Sequence, residues 1–158
     1  MAKFVYKMAG VLDIKLKMED QAKSAFALAM KALRDEEELR DALIRRKEEY
    51  VEEGRRMRSS SLNVMELRDN KLAIDNLKEQ IANQQLRVDE AAKRVENARI
   101  KLQNAMEERK IQEKLRDNAF EEFKKELSRQ ESKEIDELVS YRFGAAAVKT
   151  HEEPKAEL

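Results

Sequence analysis

Leu67, Ile74, Ile81, Val88, Val95 and Leu102 stand seven residues apart, and Asn70, Leu77, Gln84, Ala91, Ala98 and Ala105 interleave with them. A 3-4 repeat held over about five to six heptads predicts a coiled-coil helix with one narrow seam. No glycine or proline lies between Gly54 and Gly144, so neither of these residues interrupts a helix in that stretch. A second helical stripe precedes it: Met8, Val11/Leu12, Met18, Ala22, Ala25/Phe26, Ala29, Ala32/Leu33, Leu39, Leu43 and Tyr50. This stripe is broad and alanine-rich. Ala22, Ala25, Ala29 and Ala32 would let a partner helix approach closely, and Ala91, Ala98 and Ala105 are the matching small residues.

Between the two stripes, Ser59-Ser60-Ser61 is followed by Leu62-Asn63. Ser and Asn compete with helix by bonding nearby backbone, so they favour turns and caps. Asn63 and Glu66 have the spacing of a capping box, with Asn in the Ser/Thr position. A short turn between long helices predicts an antiparallel hairpin. The expected fold class is all-α, a long antiparallel two-helix coiled coil whose second helix is the longer. Its predicted parts are helix 1 at about residues 2–57, a turn at about 58–63 and helix 2 at about 64–141. Residues 1–144 would form a single hairpin, and residues 145–158 a disordered tail. Gly10 is a candidate interruption near the start, and Gly54 is expected to loosen the last turns of helix 1.

Reversal near Ser60 sets Met8 opposite about Gln112 and Phe4 opposite about Arg116, so helix 2 overhangs by about 25 residues. The heptads weaken at the same place. Continued register puts Arg109, Gln112 and Arg116 at the seam, while apolar residues resume at a shifted phase: Ile111, Leu115, Ala119/Phe120, Phe123 and Leu127. An amphipathic helix from about Leu115 to Tyr141 is thus expected to lack a partner within the chain. It is either a frayed end, a bend folding back on helix 1, or a docking surface for another protein.

Composition changes the picture only by exclusion. Charged residues make up 42% of the chain, against roughly 25% in an ordinary domain, which fits a thin-seamed helical rod. There are 33 basic and 33 acidic residues, an even balance that argues against nucleic acid as a partner. Cysteine is absent, as suits a reducing compartment. No uncharged run approaches the roughly 20 residues of a membrane span, and the opening Met1-Ala2-Lys3-Phe4-Val5-Tyr6-Lys7 predicts no secretion signal. The expected location is cytoplasmic. The one histidine, His151, falls in the expected tail and predicts no metal site. No glycine-rich phosphate loop occurs, so no cofactor or nucleotide is expected. Asp89 and Lys93, Glu90 and Arg94, and Glu121 and Lys125 have the i,i+4 spacing of solvated ion pairs. No residue is expected to be catalytic, and no small-molecule substrate is expected. Arg45-Arg46-Lys47 and Arg55-Arg56-Met57-Arg58 flank the turn, with Glu48, Glu49, Glu52 and Glu53 offsetting them. Leu39, Leu43 and Tyr50 lie nearby, either in the seam or as a protein-binding patch.

The chain also resembles a known family, the flagellar export protein FliJ. The likeness rests on Lys3-Phe4-Val5-Tyr6-Lys7-Met8-Ala9-Gly10-Val11-Leu12-Asp13-Ile14-Lys15 and on the alanine-rich segment from Glu19 to Met30. It extends to Glu107-Glu108-Arg109-Lys110-Ile111-Gln112-Glu113-Lys114-Leu115-Arg116, and to Glu134-Ile135-Asp136-Glu137-Leu138 with Phe143. The resemblance implies an antiparallel two-helix coiled coil similar to the stalk of a rotary ATPase. It implies a non-enzymatic cytoplasmic protein associated with the membrane-embedded export apparatus. The implied partners are the hexameric flagellar export ATPase, the cytoplasmic domain of the membrane export gate, and export chaperones. Carried onto this chain, the ATPase end would be Phe4, Val5, Met8 and Val11 with Leu115, Phe120, Phe123 and Leu127. The gate patch would be Leu39, Leu43 and Tyr50, with Arg46 at the intermediate position. Two other readings compete: a generic coiled-coil scaffold or holdase chaperone, and a membrane-surface protein favoured only by Lys3, Lys7, Lys15 and Lys17.

Overall fold

The computed structural model describes residues 2–61 and 63–150. Two helices pack against each other, α1 over Ala9–Ser59 (51 residues) and α2 over Val64–Thr150 (87 residues). The fold is the expected antiparallel helical hairpin with the longer second helix. Its described residues group into two compact units. One takes those within Met1–Asp13 and Lys110–Leu158, the other Ile14–Arg109.

The turn is built as its residues dictate. Asn63 caps α2: its side-chain oxygen accepts from the backbone N–H groups of Met65 at 3.1 Å and Glu66 at 3.5 Å. Its carbonyl accepts the first helical bond, from Leu67. Glu66 in the first turn and Arg56 and Arg58 in the last turn of α1 complement the helix dipoles.

Both helix limits away from the turn differ from expectation. α1 starts at Ala9 rather than near residue 2, and residues 2–6 are not helical. Here Phe4 and Tyr6 are half-buried while Lys3, Val5 and Lys7 are exposed, the period-two alternation of extended chain. α2 continues through Gly144 to Thr150, beyond the expected stop near Tyr141 and into the expected tail. One glycine costs a helix only about 1 kcal/mol relative to alanine, and Ala145, Ala146 and Ala147 are the best helix formers. Residues 151–158, with His151, lie outside the described residues.

Within the Ile14–Arg109 unit, every α2 seam position from Leu67 to Ala105 is buried or half-buried. The α1 seam is also heptad-spaced, which its sequence conceals. Lys15, Glu19, Ala22, Phe26, Ala29, Leu33, Glu36, Arg40, Leu43, Lys47, Tyr50, Gly54 and Met57 are all at least half-buried, on a strict 4-3 step. Most polar seam residues are tolerated because they meet a partner on the other helix. Asn70 Nδ2 donates to the Tyr50 carbonyl at 2.8 Å, and Gln84 Nε2 to the Glu36 carbonyl at 2.9 Å and to the Glu36 carboxylate. Arg40 donates to Gln85 at 3.3 Å, Lys15 pairs with Glu108 at 2.8 Å, and Glu19 pairs with Arg109. The alanines partly meet as expected: Ala22, Ala25, Ala29 and Ala98 line one groove.

Gly54 does not merely loosen α1. It is buried, and a Cβ built on it would lie 2.6 Å from Asn70 Oδ1. Asn70 reaches the Tyr50 carbonyl only because that space is empty. Gly54→Ala gains helix propensity but must displace Asn70 and break its bond. A net loss of about 1–2 kcal/mol is expected, the scale of an unsatisfied buried polar group. Urea melts of Gly54→Ala, Asn70→Ala and the double variant check this: the double variant should be no worse than Asn70→Ala alone.

The outward faces carry ion pairs at i,i+3, among them Arg99–Glu96 at 2.6 Å and Lys124–Glu121 at 2.7 Å. The hydrogen bond from Arg99 holds the Glu96 carboxyl below its ordinary value. A depressed carboxyl pKa contributes stability above the unfolded value and loses it as pH falls through the folded one. The pair is fully exposed, so water and salt screen most of that effect.

Candidate functional site

The Met1–Asp13/Lys110–Leu158 unit gathers most residues of the expected ATPase end. α2 presents Ala119, Phe120 and Phe123 within one turn, and i,i+3 and i,i+4 spacing puts them on neighbouring rows. The extended segment 2–6 lies against them. The Phe4 ring sits 5.1 Å from Phe120, edge-on, and 5.4 Å from Phe123, tilted. Both are favourable quadrupole geometries. Tyr6 Oη donates to Gln112 Oε1 at 3.5 Å, and Lys124 Nζ lies 4.9 Å over the Phe120 ring.

This contact revises two expectations. Phe4 meets Phe120 and Phe123, not Arg116. An extended chain advances about 3.3 Å per residue against 1.5 Å in a helix, so the segment reaches farther along α2. The overhang is therefore not bare from Leu115: Ala119, Phe123 and Leu127 are half-buried, and described side chains from Ser128 to Val148 are exposed. The shifted phase is likewise confined. Arg109, Gln112, Ala119 and Phe123 keep the seam's burial, whereas Ile111 and Leu115 are exposed. Arg109 and Gln112 occupy seam positions because Glu19 and Tyr6 partner them.

Between the extended segment and α2 lies an open groove of about 730 Å³. Phe4, Val5, Met8, Ala119 and Phe123 supply its apolar lining, and Lys3, Lys7, Glu122, Glu126 and Arg129 its charged rim. Val5 points away from the ring cluster and is 74% exposed. Met8 and Phe120 are exposed and Val11 is half-buried. Leu115 is exposed and is not among the groove's lining residues. The rim's mixed charge suits a polar-edged protein contact rather than a charged small molecule.

The second expected patch is differently placed, in the Ile14–Arg109 unit. Leu43 and Tyr50 are seam residues seven apart with Lys47 between them, both half-buried, and the Tyr50 carbonyl is held by Asn70. Leu39 stands on the flank, exposed. Met18, a member of the expected α1 stripe, is exposed rather than in the seam, and Ile14 and Leu28, outside that stripe, are exposed with it. Their helical spacing was visible, but periodicity alone does not separate a second face from a broad seam.

Among the described residues there is no cluster of His, Cys, Asp or Glu able to hold a metal. No helix there is long and apolar enough to cross a membrane.

A family model described as flagellar FliJ protein matches residues 4–147. Among solved structures, the chain is similar to a protein proposed to be a YscO homologue from Chlamydia trachomatis. The TM-score is 0.59 at 22% sequence identity, covering 93% of this chain and 99% of that one. At that identity the likeness bears on the fold alone. Comparison with curated proteins gave no significant match.

Proposed function

Because the chain belongs to the flagellar FliJ protein family, we propose that it is a non-enzymatic component of the flagellar export apparatus that docks on the hexameric export ATPase. The docking element is the groove between residues 3–8 and α2, with Val5 and Met8 exposed in its lining and Phe120 exposed beside the ring cluster. The observation that carries this is the aromatic cluster of Phe4, Phe120 and Phe123. It holds the extended segment in place while leaving Val5 facing outward. A pre-ordered apolar contact avoids the entropy cost that a loose terminus would meet on binding. The cytoplasmic domain of the export gate is the second partner, through Leu39 and the visible edges of Leu43 and Tyr50. Export chaperones are the third, and the protein works in the cytoplasm beside the membrane apparatus.

The test is stimulation of ATP hydrolysis by a purified flagellar export ATPase. Val5→Glu with Met8→Glu changes only exposed side chains, so thermal melting should not move. Binding should weaken by about tenfold or more, the loss of at least about 1.4 kcal/mol at an interface anchor. Truncation after Gln130 keeps Phe4's ring partners and reports on the exposed end of α2. Truncation after Arg116 would instead strip Phe4 of both. Full-strength stimulation by the Val5/Met8 variant would sink the docking assignment. If the unaltered chain does not bind the ATPase at all, the scaffold reading takes its place.

A further inference from the structure

Within the Ile14–Arg109 unit, α1 has two apolar faces. The first is the seam. The second runs through Ile14, Met18, Ala25, Leu28, Ala32 and Leu39, in steps of three, four or seven residues that keep one side of a helix. All six are exposed, Leu28 by 70% and Ile14 by 57%. On a protein that is 42% charged, a row of exposed apolar residues is a candidate contact face, and this one differs from the exposed apolar residues of α2, such as Leu72, Leu86 and Ile100, in bordering a groove between the helices.

The neighbouring flank of α2 is basic. Arg87, Arg94 and Lys101 recur every seven residues, all exposed, and none is in an ion pair among the described residues. Glu90 lies one turn from Arg87 and from Arg94, yet pairs with neither. The chain as a whole has equal numbers of cations and anions, so three cations in one row make this flank locally basic, which overall composition does not require.

A groove of about 530 Å³ joins the two rows. Ala22, Ala25, Ala29 and Ala98 line it, Met18 closes the apolar side, and Arg94 and Lys101 form the other. No acidic side chain borders it. Alanines there stop at Cβ, which leaves a concave channel between the helices wide enough for another helix's side-chain ridge.

We infer that this face seats a third helix, an amphipathic segment of another protein with an apolar stripe and an acidic flank. Its apolar stripe packs on Met18, Ala25 and Leu28. Its carboxylates, repeating every seven residues, pair with Arg87, Arg94 and Lys101. The cation row spans about 21 Å, so the bound helix is about four turns or longer. Helix-in-groove recognition with charge-matched flanks sets orientation and register as e/g pairs do in coiled coils. A concave channel fits a helix better than a flat lipid surface. The site is in a different unit from the proposed ATPase contact, and its test involves no ATPase, so either can fail alone.

The experiment uses the full chain and two fluorescein-labelled 21-residue helical peptides. Both carry leucine at 3-4 spacing; one has Glu on the flank and the other Lys. Fluorescence anisotropy should show the Glu peptide binding at least tenfold more tightly, with the difference shrinking as salt is raised. Met18→Glu with Leu28→Glu should abolish binding without moving the melting curve. Arg87→Glu, Arg94→Glu and Lys101→Glu together should reverse the preference toward the Lys peptide. Equal binding of both peptides, or an unchanged preference in the triple variant, overturns the inference. So does self-association in sedimentation equilibrium that Leu28→Glu removes, which would assign the face to a second copy. Stronger binding to phosphatidylcholine/phosphatidylserine vesicles than to the Glu peptide would assign it to membrane and overturns it too.

Discussion

Val88→Asp should cost about 3–5 kcal/mol and lower the melting temperature by on the order of 10 °C, read from urea and thermal loss of helical circular dichroism. Val88 is 5% exposed and sits in the α2 seam between Gln84 and Ala91, both also buried. The change removes a branched apolar side chain, worth about 1.5–3 kcal/mol when fully buried. It also places a carboxylate where no cation is shown to reach it. Burial disfavours the charged form, so the introduced carboxyl titrates higher folded than unfolded. Its penalty is therefore largest at neutral pH, shrinks as pH falls through the raised folded value, and is gone once pH is below the ordinary carboxylate range. An equal substitution at Leu86, which is 62% exposed two residues away, should change stability by about 0.5 kcal/mol or less. A Val88 variant that melts like the parent would mean that this seam is not buried in solution.

The Glu19–Arg109 pair should show the opposite logic when taken apart and when removed whole. Glu19 is 4% exposed in the α1 seam, paired with Arg109 from α2 and with Lys23 at 3.5 Å on its own helix. Arg109→Leu leaves that carboxylate buried with only the more exposed Lys23 beside it. A loss of about 2–3 kcal/mol is expected, below the 3–5 typical of a fully buried pair because Lys23 remains. Replacing both, Glu19→Leu with Arg109→Leu, extends the apolar seam and should be neutral or stabilising by about 1–3 kcal/mol. A double-mutant cycle in urea isolates the coupling. Additive effects would show that the pair contributes nothing as a pair. The double variant also tests register. If Glu19, Gln84 and Asn70 fix the alignment of the helices, removing one anchor should raise stability yet broaden the transition.

How much of this was legible in the sequence differs between the two helices. Leu67 through Ala105 declared their seam because nearly every member is apolar or small, and Asn63 declared the cap because its side chain acts within three residues. These are local interactions, and local chemistry suffices for them. The α1 seam is just as regular, but Lys15, Glu19, Glu36, Arg40 and Lys47 stand in it. Whether a charged residue can occupy a seam depends on what it meets: Glu108, Arg109, Gln84 and Gln85 lie 45 to 93 residues away in the chain. That information exists only once the helices are aligned. The same holds for the candidate sites. Phe4, Val5 and Met8 could be nominated from residue type and family likeness, but not the extended path of residues 2–6. A helix and an extended strand compete closely over five residues, and the Phe120 and Phe123 rings decide between them by stacking on Phe4. Nor could periodicity split the wide apolar band of α1 into a buried face and an exposed one, since both repeat every three to four residues. Sequence by itself determined two helices, their turn and one complete seam. Tertiary structure decided the partners of the buried charges, the path of the first residues and the apolar face left open, because each of these depends on which distant side chain arrives opposite.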